Sequence, residues 1–325
     1  MEFKNKPVLC AGEILYDFIA AQKGETLGET QVFEKRPGGA PFNICVGISR
    51  LGGEIDFLTK LGGDSFSRSL YRLILENKIG TETVFKDETM NSTLVFVAVD
   101  EKGKPDFQFY RDNAADTRIL REETDKIDVD KYSIFQFGSV AMLDNPTSGS
   151  VLSLFDKFNA KGKITSFDPN IRERMIRNRG EYLEMAENIF KKADIVKMSD
   201  DDLKYFYPCM NSEDAMNEIE MKEDALLIIT LGSEGTILKK AGKVSVVPGF
   251  KVQVKETTGC GDSFMAAIAY QVWKSGINSI NDISFNEAIE MVRFANAQAA
   301  IVASRFGAAN SMPYLNEVEE FLDAN

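Results

Sequence analysis

Six short apolar runs, at residues 7–11, 55–58, 134–137, 164–167, 195–196 and 226–230, punctuate this chain, and stretches of helical periodicity lie between them at 42–51, 65–77, 148–159, 181–191 and 262–274. Successive side chains of a strand point to opposite faces of its sheet, so a strand apolar at consecutive positions must be covered on both sides. Intervening helices supply that cover and carry the chain back to the next strand. The pattern therefore predicts an α/β fold built on a mostly parallel sheet with right-handed crossovers. Two segments, 16–37 and 91–118, break the rhythm, with alternation at Thr93-Leu94-Val95-Phe96-Val97-Ala98-Val99 and Phe107-Gln108-Phe109-Tyr110. They predict a small second sheet set against the main body as a lid. No fixed-period repeat or long linker divides the chain, so residues 1–325 read as a single domain carrying lid insertions.

With 44% hydrophobic residues the chain can bury a large core, while its formal charge of −12 would repel a nucleic-acid backbone or an anionic bilayer. Neither is an expected partner. The first apolar segment is soon broken by Glu13 and Asp17, unlike a secretion signal, and no uncharged run approaches the ~20 residues that span a bilayer. The cytoplasm is the expected compartment. Cys10, Cys45, Cys209 and Cys260 form no C-x-x-C pair, which argues against a zinc or redox motif. The chain contains no histidine, which removes Ser-His-Asp triads, H-E-x-x-H zinc sites and imidazole bases. Proton transfer falls to a carboxylate, Lys, Tyr or Cys.

The segment Glu256-Thr257-Thr258-Gly259-Cys260-Gly261-Asp262-Ser263-Phe264 joins an extended stretch to an amphipathic helix. Closely spaced glycines at a helix start let backbone N–H groups converge on an anion, and the helix dipole adds positive character there. Asp262 would then accept a proton from an attacking hydroxyl beside the developing charge. A glycine turn followed by an Asp cap explains the same residues structurally. Neither G-x-x-x-x-G-K-[ST] nor G-x-G-x-x-G occurs, so a P-loop kinase or typical dinucleotide binder is not supported.

Residues 257–264 resemble the C-terminal signature D-T-T-G-A-G-D-x-F of ribokinase-like (PfkB) sugar kinases. Gly38-Gly39-Ala40-Pro41-Phe42-Asn43, continuing through Gly52-Gly53 and Leu61-Gly62-Gly63-Asp64, resembles their N-terminal signature. The resemblance runs across nearly the whole chain in order and implies a ribokinase-like three-layer fold. It implies Asp262 as catalytic base, with the backbone of Gly259, Cys260 and Gly261 as anion hole. Paired glycines at Gly38 and Gly39 let a ligand approach the backbone, and Asn43 offers a donor and an acceptor to sugar hydroxyls. Asp17, in Gly12-Glu13-Ile14-Leu15-Tyr16-Asp17, fits the family's G-E-x-x-x-D, whose Asp grips adjacent hydroxyls. Residues 107–116 resemble the F-x-F-Y-R-x-x-x-A-D of bacterial fructokinases, placing Phe109 against the sugar and Arg111 on its oxygens or the product phosphate.

On the nucleotide side, Asp168-Pro169-Asn170-Ile171-Arg172 resembles a fructokinase D-P-N-x-R, implying phosphate-path contacts from Asn170 and Arg172. Lys197-Met198-Ser199-Asp200-Asp201-Asp202 takes the place of K-x-N-x-x-E. Lys197 and Ser199 would then border the nucleotide, and Asp202 would hold Mg²⁺ through water. Thr230, Gly232 and Gly235 match T-x-G-x-x-G along the nucleotide, and Asn296 is a candidate near adenine. Glu256 stands where the family usually has Asp and where some members bind a monovalent cation with residues near 304–307; its longer side chain leaves K⁺ open. The implied activity is transfer of the ATP γ-phosphoryl to a primary hydroxyl of fructose, giving fructose 6-phosphate. The alternatives are kinases of 2-keto-3-deoxygluconate or 5-dehydro-2-deoxygluconate, more distantly a nucleoside kinase, or a silent sugar-binding regulator. A homodimer through the lid strands is expected from the same resemblance.

Overall fold

The computed structural model describes residues 6–22, 24–99, 105–143 and 146–325. Residue 23 and residues 100–104 of the expected lid segments, and residues 1–5 of the N-terminus, lie outside the described residues. In chain order the strands are β1 (Val8–Ala11), β2 (Leu15–Ala20), β3 (Phe33–Gly38), β4 (Ile55–Gly62), β5 (Val84–Asp87), β6 (Leu94–Val99), β7 (Pro105–Tyr110), β8 (Ile134–Gly138), β9 (Ile164–Asp168), β10 (Ile195–Ser199), β11 (Leu226–Thr230), β12 (Gly235–Lys240) and β13 (Lys243–Pro248). All six apolar runs are strands of one sheet, ordered β13-β12-β11-β10-β9-β8-β1-β4-β5. Its strands from β11 to β5 pair in parallel; β12 and β13 close one edge antiparallel.

Side-chain alternation divides the core into two layers, one on each side of this sheet. Val8, Cys10, Phe57, Ile134 and Ile228 pack beneath the helices Ala40–Arg50, Cys260–Ser275 and Phe285–Ala303. Leu9, Ala11, Phe135, Phe137 and Ile229 pack beneath Thr147–Ala160 and Arg179–Phe190. Consecutive apolar residues thus serve opposite layers, which is why the strands read as unbroken apolar runs. Asp168, Ser199 and Thr230 end three neighbouring parallel strands, and Gly12 follows the end of β1, so all lie at one edge of the sheet. Ligands of open α/β sheets bind at that edge.

The lid is a separate four-stranded sheet of order β3-β2-β6-β7. Its register sets Arg36, Asp17, Val95 and Phe109 in one row across the strands. Paired residues share a face, so Asp17 and Phe109 project to the same side. On the other face Phe18 stacks on Phe96 at 4.9 Å between ring centroids, with Phe33 and Tyr110 edge-on to Phe96.

Candidate active site

Gly259 starts the Cys260–Ser275 helix in the left-handed region, at φ +84°, and any Cβ there would press on Ala308. Only glycine makes this turn without strain. The N–H of Cys260 donates to the carbonyl of Thr257, 3.2 Å away, and that of Ser263 to Gly259. Cys260 therefore does not lend the N–H expected of it. The amides of Gly261 and Asp262 remain in the first turn, where a helix leaves its donors without helical acceptors. A Cβ on Gly261 would sit 3.0 Å from Nζ of Lys197, so an ammonium lies directly under the turn. Lys197 is buried and donates to Oδ2 of buried Asp168 at 3.0 Å. Burial alone would push Lys197 down, but Asp168 and Asp202 hold its pKa above the usual lysine value.

Asp262 is buried, with both carboxylate oxygens accepting from amides. Nδ2 of Asn43 donates to Oδ2 at 2.8 Å and Nδ2 of Asn170 to Oδ1 at 3.3 Å. Asn170 reaches it from a left-handed backbone, φ +40°, while its own Oδ1 accepts from Nη1 of Arg172 at 2.7 Å. Burial raises the pKa of Asp262, against the pull of Asn43, Lys197, Arg172 and Asn170. A carboxylate so raised, yet oriented on both sides, is suited to proton acceptance. Oδ1 of Asn43 is buried without a partner, an acceptor left over for a hydroxyl. The Cys260 thiol is pushed up to about 12 by burial and by Asp262 and Glu256, so it stays neutral.

Asp17 faces this centre from the lid. Burial pushes it up to about 6, opposed by Arg172 and reinforced by Asp262 and Glu256. A side chain on Gly38 would collide with Oδ2 of Asp17, and Gly39, at φ +101°, lies against the carbonyl of Glu13. The paired glycines thus let the loop close on the carboxylate. Arg111 does not reach outward as expected: it is buried in an ion pair with Asp116, its Nε at 2.9 Å from Oδ2.

At the end of β10, expected to border a nucleotide, Ser199 caps the helix Asp200–Phe206 and spends its hydroxyl on Oδ2 of Asp202 at 2.7 Å. Asp202 also accepts from the N–H of Ile171 at 2.8 Å, tying the helix to the Asn170 loop. Asp201 is exposed and pairs with Lys204. The Thr230 hydroxyl donates to the Met198 carbonyl at 3.4 Å, while Gly232 and Gly235 adopt positive φ in the turn after β11. Asn296, expected near adenine, is spent internally: Thr236 donates to its Oδ1 at 2.7 Å and its Nδ2 donates to the carbonyls of Val247 and Pro248. Glu256 accepts at Oε2 from both Arg36 and Gly307, so its carboxylate is already compensated.

Two residues not singled out in the sequence belong to this centre. Asp168 pairs with Lys197 and is pushed up to about 6, chiefly by burial. Glu13 accepts from the N–H of Ala40 at 3.2 Å and from Ser139 at 2.9 Å, fixing the start of the helix that carries Asn43. Its signals in the sequence were a carboxylate directly after an apolar strand and the Glu of the G-E-x-x-x-D match.

The sequence matches the pfkB family carbohydrate kinase pattern over residues 5–315. Fructokinase-1 of Zea mays is 32% identical over 317 residues, covering 97% of both chains. The structure of a fructokinase from Xylella fastidiosa with bound ATP aligns with a TM-score of 0.86 and 27% identity over 99% of each chain. A sugar kinase of Pyrococcus horikoshii in complex with ATP aligns at 0.82, with 31% identity over 97% of this chain and 99% of that one.

Proposed function

This chain belongs to the pfkB family of carbohydrate kinases, and from that premise we propose that it transfers the γ-phosphoryl of ATP to a primary hydroxyl of fructose, giving fructose 6-phosphate. The observation that carries the reading is Asp262 held between Asn43 and Asn170 at the start of a 16-residue helix. Asp17, Asn43 and Phe109 bind the sugar, and Asp262 takes the proton of the attacking hydroxyl. The amides of Gly261 and Asp262, with Lys197 beneath them and Arg172 alongside, offset negative charge on the phosphoryl group in transfer. Thr230, Gly232 and Gly235 border the nucleotide. Lid closure excludes water and limits idle ATP hydrolysis.

Among the described residues no three acidic, Cys or His side chains cluster as a metal site. A divalent ion would therefore rest mainly on nucleotide phosphates and water, and Oδ1 of Asp202, which accepts one bond, has capacity for a metal-bound water. That arrangement fits Mg²⁺, which when bound neutralises phosphate charge. No helix among the described residues is long and apolar enough to cross a membrane. The aromatic outer face of the lid, where Tyr110 is 61% exposed, is the surface on which a second copy would pack.

ADP release with ATP and Mg²⁺ tests the substrate across fructose, glucose, mannose, ribose, 2-keto-3-deoxygluconate, 5-dehydro-2-deoxygluconate and adenosine. Fructose is expected to lead by at least tenfold in kcat/KM, about 1.4 kcal/mol of discrimination. Preference for a sugar acid or nucleoside would replace the substrate, and silence on all would remove the kinase reading.

A further inference from the structure

Glu256 lies three residues before Gly259, and its position is fixed twice over. The N–H groups of Lys255 and Glu256 both donate to the carbonyl of Ala303, and Oε2 of Glu256 accepts from the N–H of Gly307 at 2.9 Å. Gly259 in turn presses on Ala308. The loop after the Phe285–Ala303 helix is thus knitted to the anion-binding turn through one carboxylate, and a positive charge on that carboxylate would steady both. Nη1 of Arg36 supplies it at 3.0 Å, while Nη2 of the same guanidinium binds Glu34 at 2.8 Å. Arg36 and Glu256 are only 22% and 20% exposed, so solvent screens the pair incompletely.

We propose that the guanidinium of Arg36 stands where a monovalent cation would otherwise sit against Glu256, so that the lid itself carries the charge that orders the anion-binding turn and phosphoryl transfer does not depend on K⁺. A dissolved cation sharing Oε2 would face a guanidinium already on that oxygen, a like-charge approach in a partly desolvated place. The extra methylene of Glu256, relative to the Asp usual there, lengthens the reach toward β3. Arg36 pairs in register with Asp17, so the strand pair that brings the sugar-binding carboxylate to the centre brings the cation too. Arg36 is therefore a positioning residue that links lid closure to order in the turn.

The proposal rests on the kinase reading but can fail separately from it. Wild type, Arg36→Ala and Arg36→Lys would be titrated with KCl against tetramethylammonium chloride at constant ionic strength. Tm would be read without sugar or nucleotide, and kcat and sugar KM with the best substrate. Wild type is expected to show no K⁺-specific rise in Tm and less than a twofold change in kcat. Arg36→Ala is expected to lose roughly threefold to tenfold in kcat, as suits a half-sheltered pair. Millimolar guanidinium or K⁺ should restore part of that loss, and Arg36→Lys should fall between. A saturable K⁺ effect on wild-type Tm or kcat would overturn the proposal, as would an Arg36→Ala protein with wild-type kcat and no response to guanidinium. If Arg36→Ala does not fold, Glu256→Gln takes its place, with the same loss of kcat and indifference to K⁺ expected; a wild-type kcat there would equally overturn it. Absence of fructose turnover would strike the substrate reading alone, because the Tm series contains no substrate.

Discussion

Asp262 and Asp17 are two carboxylates with raised pKa values facing one centre, yet they are mounted differently. Asp262 lies in the first turn of a helix packed between the helices Ala40–Arg50 and Phe285–Ala303, and both its oxygens are gripped by amides. Asp17 projects from a lid strand, with Gly38 against one oxygen. The base must be placed within a fraction of an ångström of a proton, so it belongs on rigid core. A group that recognises substrate and shuts out water must be able to arrive with it, so it belongs on the lid. The division predicts that damage to the first carboxylate is read in kcat and damage to the second mainly in KM.

The largest break should come from Asp262→Asn, which keeps the shape but removes the proton acceptor. A loss of about 10²–10⁴ in kcat is expected, with ATP affinity changed only severalfold. Titration with ATP by calorimetry and turnover assays on one preparation would separate the two, and a kcat near wild type would dismiss Asp262 as base. Asp17→Asn should act next, raising the sugar KM about 10–100-fold with a smaller change in kcat, the scale of losing charge-assisted hydrogen bonds. Should Asp17→Asn instead lower kcat while leaving KM alone, the lid carboxylate would belong to the chemistry and the contrast between the two mounts would collapse.

The parallel sheet was legible because strands apolar on both faces leave a mark that nothing else in the chain imitates, and the glycines of 38–39 and 259–261 mark places where a side chain collides or the backbone must turn left-handed. What the sequence could not disclose was where polar side chains spend their bonds. Asn296 and Arg111 sit in segments that resemble ligand-binding ones, but Asn296 is consumed by Thr236 and by the carbonyls of Val247 and Pro248, and Arg111 is drawn into a buried pair with Asp116. The Arg36–Glu256 pair joins residues 220 apart with no local pattern to announce it. The starts of two helices were set by glycines at positive φ, Gly39 and Gly259, rather than by the apolar stripe. The helix expected from 42 begins at Ala40, next to Gly39, and the one expected from 262 begins at Cys260.

The smallest expected effect separates the stability of this centre from its activity by pH. Glu13, anchoring the core-mounted side, is pushed from 4.5 up to about 7, chiefly by burial. Its folded-state pKa exceeds its unfolded one, so the stabilisation it contributes is full below about 4.5 and is lost as pH rises through about 7. Asp17 and Asp168, each raised to about 6, act in the same sense. Tm should therefore fall as pH goes from 5 to 8, while kcat should rise over acidic pH as Asp262 becomes ionised. Glu13→Gln can keep the bonds from Ala40 and Ser139 without titrating. Its stability should equal or exceed wild type at pH 8 by a few degrees of Tm, the gap closing at pH 5. The linkage amounts to on the order of 3 kcal/mol at most. Thermal melts of both proteins across that range decide it, because a gap that widens toward pH 5 would mean that Glu13 is ionised in the folded protein and holds the Asn43 helix by charge.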